Sequence, residues 1–363
     1  MKVGILTYHR ALNYGAVLQC YALYITIRSL GHDVEVIDYR PDTIERYRMY
    51  FRWRDFGAAK GIIGKIKYVV SSIQLISSKQ RTSKKFDEFL TKNFKLSKLV
   101  TLANDIPQNY DVIVFGSDQI WSPENNEGID NVYLGDFEHN RTKFITYAIS
   151  AGHENLISTI YYDNYRNSIK NFDSISVREI SLQKCLESKF FVNSEVVCDP
   201  SLFLTEEECS RIALQPKDDH YVLVFNLVND LNMVRMAREI AEDLKCKVIE
   251  IKAVANPCHI YPFELHSELS PAEFLGFVKY ADCIITNSFH TTSFSIIMHK
   301  NFYTTLRPNN NDRAKTLLKV AGLSERQVDA KQKQKFSAID YNGVDERLSA
   351  YRAKSLEYLK GNL

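Results

Sequence analysis

Asn287-Ser288-Phe289-His290-Thr291-Thr292 sets an amide, three hydroxyls and one imidazole side by side. Before it, Cys283-Ile284-Ile285 is a short apolar run of the kind found in a buried parallel strand. After it, Phe294, Ile297 and Met298 recur at helical spacing. His290 therefore belongs where a strand hands over to a helix, at the carboxyl edge of an α/β sheet. Ligands bind at such edges, and the free N–H groups of a helix N-terminus attract anions. A histidine there exchanges protons near neutral pH. The chemistry indicated is a phosphate or carboxylate held by Asn287, Ser288, Thr291 and Thr292 beside a proton-transferring His290.

Other strand ends carry polar residues too. Arg178, in Ser176-Val177-Arg178-Glu179, offers a guanidinium that grips phosphate or carboxylate through two parallel hydrogen bonds. The alternative is a surface pair of Arg178 with Glu179. Gly116-Ser117-Asp118 ends an apolar strand and is followed by Trp121. It reads as a close backbone approach with hydroxyl- or helix-capping groups. His9, Asn13-Tyr14-Gly15 and His153 also follow strands. Arg307 and Arg313 follow a strand-like run at 302–306 and add positive charge near the same edge.

These residues need elements to hold them. Strand signals at 3–8, 34–39, 111–115 and 144–149 alternate with helix signals, as do later strands at 221–227, 247–251 and 283–285. The pattern is two Rossmann-like halves facing a cleft, as in GT-B enzymes. The expected division is 1–172, carrying a basic helical insertion at 44–94, then 173–325. Helices at 326–363 are expected to pack back on the first half. The length, 363 residues, suits two domains.

Composition narrows the class. Hydrophobic residues make up 45% and charged residues 25%, as in a globular protein, and the formal charge is +2. Residues 46–85 hold eleven Lys or Arg and one acid, Asp55, with Tyr47, Tyr50, Phe51, Trp53 and Phe56 interleaved. This is either a solvated face or an element that meets a polyanion or an anionic membrane surface. Nucleic acid is not expected, because no recognition motif accompanies the patch. Seven cysteines without C-x-x-C spacing read as reduced thiols of a cytoplasmic protein. Neither a signal peptide nor a long apolar span is evident, so at most a peripheral attachment to the inner membrane face is expected. P-loop, G-x-G-x-x-G, H-E-x-x-H and G-x-S-x-G motifs are lacking, which gives no support to nucleotide, metal or serine-hydrolase chemistry.

Six segments in order resemble the polysaccharide pyruvyl transferase family. They are Gly4-Ile5-Leu6-Thr7 with Asn13-Tyr14-Gly15-Ala16-Val17-Leu18-Gln19, Gly116-Ser117-Asp118-Gln119-Ile120-Trp121, Tyr147-Ala148-Ile149-Ser150, Ser176-Val177-Arg178-Glu179, Asp199-Pro200-Ser201-Leu202, and Asn287-Ser288-Phe289-His290. The resemblance spans roughly residues 2–325 and implies a GT-B-like fold. It also implies transfer of pyruvate from phosphoenolpyruvate to a sugar, or a lipid-linked oligosaccharide, of capsule or exopolysaccharide, as a cyclic ketal. Phosphoenolpyruvate is then a substrate, and neither cofactor nor metal is expected.

The resemblance places Arg178 and His290 at donor-binding or catalytic positions, and His290 is expected to be the acid or base, with Asp118 a base or a ligand of an acceptor hydroxyl. Arg178, Asn287, Ser288, Thr291, Thr292, Arg307 and Arg313 become the donor side. His9, Asn13, Tyr14, Gly15, Gly116, Ser117, Trp121 and His153 become the acceptor side. One departure stands out. Relatives carry an Arg two residues before the His, or Asp-Ser before Phe-His-Gly, where this chain has Asn287-Ser288 before it and Thr291 after. The donor's cation then falls to Arg178, Arg307 or Arg313. A GT-B nucleotide-sugar glycosyltransferase, with Glu264 or Glu268 on the ribose, and a non-catalytic glycan-binding scaffold are the alternative readings.

Overall fold

The computed structural model describes residues 1–48, 56–57, 59–139, 141–152, 160–253, 263–305 and 312–363. His153, Arg307, Asn311, Cys258 and the aromatics Tyr50, Phe51 and Trp53 lie outside the described residues, and the side chain of Tyr47 does too.

Two parallel sheets organise the chain. The first is ordered β3-β2-β1-β4-β5-β6-β7, from β1 (Lys2–Leu6), β2 (Asp33–Tyr39), β3 (Leu96–Val100), β4 (Val112–Asp118), β5 (Lys143–Ile149), β6 (Ser176–Val177) and β7 (Glu195–Val196). The second is ordered β10-β9-β8-β11-β12-β13, from β8 (Tyr221–Phe225), β9 (Lys247–Ile251), β10 (Glu264–His266), β11 (Cys283–Thr286), β12 (Asn301–Thr305) and β13 (Gln327–Val328). Each reverses direction once, between β1 and β4 and between β8 and β11, which is the doubly wound order with its ligand-binding switch point. The α/β, GT-B-like architecture of two Rossmann-like domains is the one found.

The division between the halves differs from the expected 172/173. β6 pairs with β5, and β7 with β6, so the segment to Val196 belongs to the first sheet. The two-residue strands were too short to show which sheet they would join. Likewise 326–363 is not all helix, because β13 pairs with β12 in the second sheet. The helix Val344–Asn362 then crosses back to the first half. There Ser355 Oγ accepts from the Cys198 N–H at 2.8 Å and Tyr358 donates to the Thr146 carbonyl at 3.1 Å.

The halves share a core. One apolar cluster runs from Val3, Ile5, Val17 and Val114 to Leu223, Ile249, Phe274 and Ile284. At the junction Tyr14 is buried and stacks on Phe274, with centroids 4.5 Å apart and planes 5° from parallel, while Phe86 packs at 5.4 Å. The basic insertion contains the helices Asp42–Arg48 and Gly61–Asn93. The second joins the other half through Arg81–Glu268 and Lys85–Glu273 ion pairs. The described cysteines are free thiols, all buried except half-buried Cys246.

Truncating Tyr14 opens a cavity where both halves meet, so Tyr14→Ala should lower stability by about 3–5 kcal/mol. Urea unfolding at neutral pH checks this; an unchanged midpoint would show that the stack does not hold the halves together.

Candidate active site

His290 is placed by a series of local bonds. Thr286 at the end of β11 donates to the Phe225 carbonyl at 3.0 Å and accepts from the Ser288 N–H at 3.0 Å. Ser288 caps the helix Phe289–Ile297 by accepting from the Thr291 N–H. Asn287 reaches sideways to the loop after β8, accepting from the Leu227 N–H at 2.8 Å and donating to Asn226 at 3.2 Å. Thr292 bonds the Ser288 carbonyl at 3.0 Å and Thr304 at 3.1 Å. Asn287, Ser288 and Thr292 therefore build the turn that holds His290. His290 Nε2 and Thr291 Oγ1 are left buried without a hydrogen-bond partner among the described residues. The N–H groups of Phe289 and His290 lie at the open end of the helix.

Across the junction, the N-terminus of the helix Tyr14–Ser29 meets this turn. Asn13 caps it, accepting from the Gly15 and Ala16 N–H groups. Gly15 lies flat on the imidazole: a Cβ there would stand 2.3 Å from Nδ1 and 2.7 Å from Cβ of His290. Only glycine permits that approach, and it brings the positive ends of two helix dipoles to one place.

Beside His290 lies a buried ion cluster. Arg178 donates from Nη1 to Asp199 Oδ2 at 2.6 Å and from Nη2 to Asp118 Oδ1 at 3.4 Å, and its Nε stands 3.5 Å from Glu179. The Asp199-Pro200 turn divides the work of one carboxylate. Oδ1 accepts from the Ser201 N–H at 2.9 Å, which leaves Oδ2 for Arg178 and, at 3.6 Å, for His290 Nε2. Glu179 accepts from Ser150 at 2.7 Å and lies 3.4 Å from Arg313 Nε. The Phe289 ring has Arg178 on it at 5.3 Å and Arg313 at 5.6 Å, both within cation–π range.

Burial alone would raise the Asp199 carboxyl, but His290, Arg178 and the Ser201 bond hold it well below the usual carboxylate range. Burial opposes the Arg178 charge, yet Asp199, Glu179 and Asp118 overcome that and keep it firmly protonated. Arg313, more weakly compensated, is pushed down to about 10 by burial and by the charge of Arg178.

Asp118 is aimed at Arg178 by its backbone, with φ +76, a left-handed conformation that Asp tolerates better than most residues. Gly116 two residues earlier has φ +111, and a Cβ there would meet the Tyr147 carbonyl at 2.4 Å. Ser117 turns inward, donating to Gln19 at 2.9 Å, while Gln19 in turn donates to Thr7.

The structure thus brings together His290, Thr291, Arg178, Asp118, Arg313 and Gly15. Asn287, Ser288, Thr292, Asn13, Gly116 and Ser117 shape the backbone around it, whereas His9, Trp121 and Tyr14 make their contacts elsewhere. His9 is buried with one ring nitrogen on the Thr7 carbonyl and the other on Asp38, each at 3.1 Å, so neither faces a ligand. Burial lowers its pKa. Trp121 is core, its indole N–H on the Tyr133 carbonyl at 3.1 Å. Tyr14 is the junction stack. Of the alternative ribose carboxylates, Glu264 pairs with Lys247 and Glu268 with Arg81.

Asp199 and Glu179 were not among the sequence candidates. The Asp-Pro-Ser turn is visible as a motif, but the Asp199 partners Arg178 and His290 come from two distant segments. Asp218, Glu264 and His266 cluster at metal-ligand spacing, but Lys247 sits among them, 2.5 Å from Asp218 and 2.9 Å from Glu264, and supplies the compensating charge.

A depressed folded-state pKa gives stability that is present above the unfolded value, about 3.9, and is lost as pH falls through the folded one. Stability should therefore decline on acidification below about pH 4. Asp199→Asn should reduce that decline, and should cost about 3–5 kcal/mol at pH 7 by leaving Arg178 undercompensated. Urea midpoints at pH 7 and on acidification test both; equal midpoints for the two proteins would show that the cluster is not held by Asp199.

The family model described as polysaccharide pyruvyl transferase matches residues 13–306. No curated protein matches the chain. Among solved structures, a putative UDP-N-acetylglucosamine 2-epimerase from Listeria monocytogenes has 10% identity and a TM-score of 0.48, covering 99% of this chain and 88% of that one. The glycosyltransferase SnogD from Streptomyces nogalater has 11% identity and a TM-score of 0.45, covering 98% and 95%. The UDP-GlcNAc 2-epimerase from Methanocaldococcus jannaschii has 11% identity and a TM-score of 0.45, covering 97% and 93%. The match over residues 13–306 is the finding that identifies it: this chain belongs to the polysaccharide pyruvyl transferase family.

Proposed function

We propose that this chain moves pyruvate from phosphoenolpyruvate to two hydroxyls of one sugar in a bacterial surface polysaccharide or its lipid-linked precursor, forming a cyclic ketal and releasing phosphate. Family membership supports the reaction class. The observation that carries the residue assignment is His290 Nε2, which makes no hydrogen bond among the described residues and stands 3.6 Å from Asp199, where two helix N-termini meet.

In this reading the imidazolium, stabilised by Asp199, delivers a proton to the methylene carbon of the donor. C2 becomes cationic, and a sugar hydroxyl bonds to it while losing its proton. The C2–O bond to phosphate breaks, with its electron pair leaving on phosphate. A second hydroxyl then bonds to C2 and loses its proton, which closes the ketal. Neutral His290 is the base for one hydroxyl proton, and the other leaves on the departing phosphate.

Arg178 does not act as the donor clamp expected of it, because each of its nitrogens already faces a carboxylate. Its role is to hold Asp199, Asp118 and Glu179 in place. The donor's negative charges instead meet the open N–H groups of Phe289 and His290, with Arg313 at the same edge.

Incubation with phosphoenolpyruvate and lipid-linked glycan, followed by mass spectrometry of the glycan, should show the mass gain of one pyruvate ketal. His290→Ala should lower turnover by roughly 10²–10⁴-fold with the fold intact. Gly15→Ala, which displaces the imidazole, should lower it as well. Turnover unaffected by His290→Ala would remove the assignment. Thermal stabilisation by UDP but not by phosphoenolpyruvate would favour the nucleotide-sugar reading instead, and glycan binding without turnover would favour the scaffold.

A further inference from the structure

The helix Gly61–Asn93 leaves an apolar face exposed over its first half. Ser72, Ser78 and Thr82 are buried, whereas Ile62, Ile63, Ile66, Val70 and Ile73 are exposed, Ile62 at 78% and Ile73 at 61%. At the helical repeat these five side chains fall within an arc of about 100°, along roughly 17 Å of axis. A water-facing stripe of that kind marks an interaction surface.

Its surroundings are cationic. Lys60, Lys65 and Lys67 are exposed around it, and no Asp or Glu occurs from residue 56 to 86. The second half of the helix is tied down by the Arg81 and Lys85 ion pairs and by buried Phe86, Phe89 and Leu90, so the first half is presented on a fixed base. None of the described helices is long and apolar enough to cross a membrane.

We propose that this stripe is a membrane-contact surface that lies in the interface of an anionic bilayer. The isoleucines enter the acyl boundary while the lysines meet lipid phosphates. Charge complementarity selects this occupant. A second copy bound through the same face would set lysine against lysine in a self-complementary contact, which disfavours a dimer. The sequence shows the cationic bias, but only the fold shows that Ile62, Ile63, Ile66, Val70 and Ile73 face outward. The proposal does not depend on the donor or the acceptor of the reaction.

The test is co-sedimentation of the full chain with vesicles of phosphatidylcholine alone, or of equal parts phosphatidylcholine and phosphatidylglycerol, at low and high salt. Wild-type protein should sediment with the anionic vesicles and be partly released by salt. Ile62→Asp/Ile66→Asp should weaken binding about tenfold or more. Lys65→Glu/Lys67→Glu should remove the salt-sensitive part. Because these side chains are exposed, urea midpoints should stay unchanged, which separates lost binding from lost fold. The proposal is overturned if the wild type stays in the supernatant, or if Ile62→Asp/Ile66→Asp binds as well as the wild type. It is also overturned if light scattering shows a dimer that this variant dissolves while vesicles are ignored.

Discussion

A guanidinium removed from water must be surrounded by charge of the opposite sign, and Arg178 enforces that condition on the site. Its three carboxylate partners come from separate places: Asp118 from the end of β4, Glu179 from just after β6, and Asp199 from the turn that leaves the first sheet. Losing any one leaves charge uncompensated in a dry environment, so the three segments are fixed relative to one another. That makes the cluster less a free anion trap than a frame. Asp199 is its link to the histidine: Oδ2 faces both Arg178 and, in the other half, His290.

The site is therefore a property of the closed pair of halves. Gly15 from the first half touches His290 from the second, and the apolar core is continuous beneath them. Tyr14, next to Gly15, is stacked on Phe274 of the second half. One short stretch, Asn13-Tyr14-Gly15, thus caps a helix, joins the two halves and shapes the ground beside the imidazole. These residues, read from the sequence as acceptor ligands, make contacts of packing, capping and close approach within the chain.

The Gly61–Asn93 helix follows a different logic. Its far end obeys the ordinary rule that apolar side chains go inward, with Phe86, Phe89 and Leu90 buried. Its near end reverses that rule. Within one helix the periodicity of apolar residues is similar at both ends, so periodicity does not distinguish a face that meets the core from a face that meets something outside the molecule. That difference arises from what the rest of the chain packs against it.

Much of the architecture was legible in the sequence because it is local. Apolar runs such as Cys283-Ile284-Ile285 and helix faces such as 16–30 announce strands and helices through side-chain spacing, and their alternation implies parallel sheets. The strand-to-helix placement of His290 was legible for the same reason. The sequence alone also supplied Asp199-Pro200-Ser201 as a motif, but not its role, because an Asp before Pro-Ser is a competent turn cap whether or not an arginine lies above it. Tertiary structure decided which polar side chains are free. It spends Asn287, Ser288 and Thr292 on holding a turn, seats His9 between a carbonyl and Asp38, and surrounds Arg178 with acids. Hydrogen-bond partners and burial are set by chain segments tens to more than a hundred residues apart, and no local spacing encodes them.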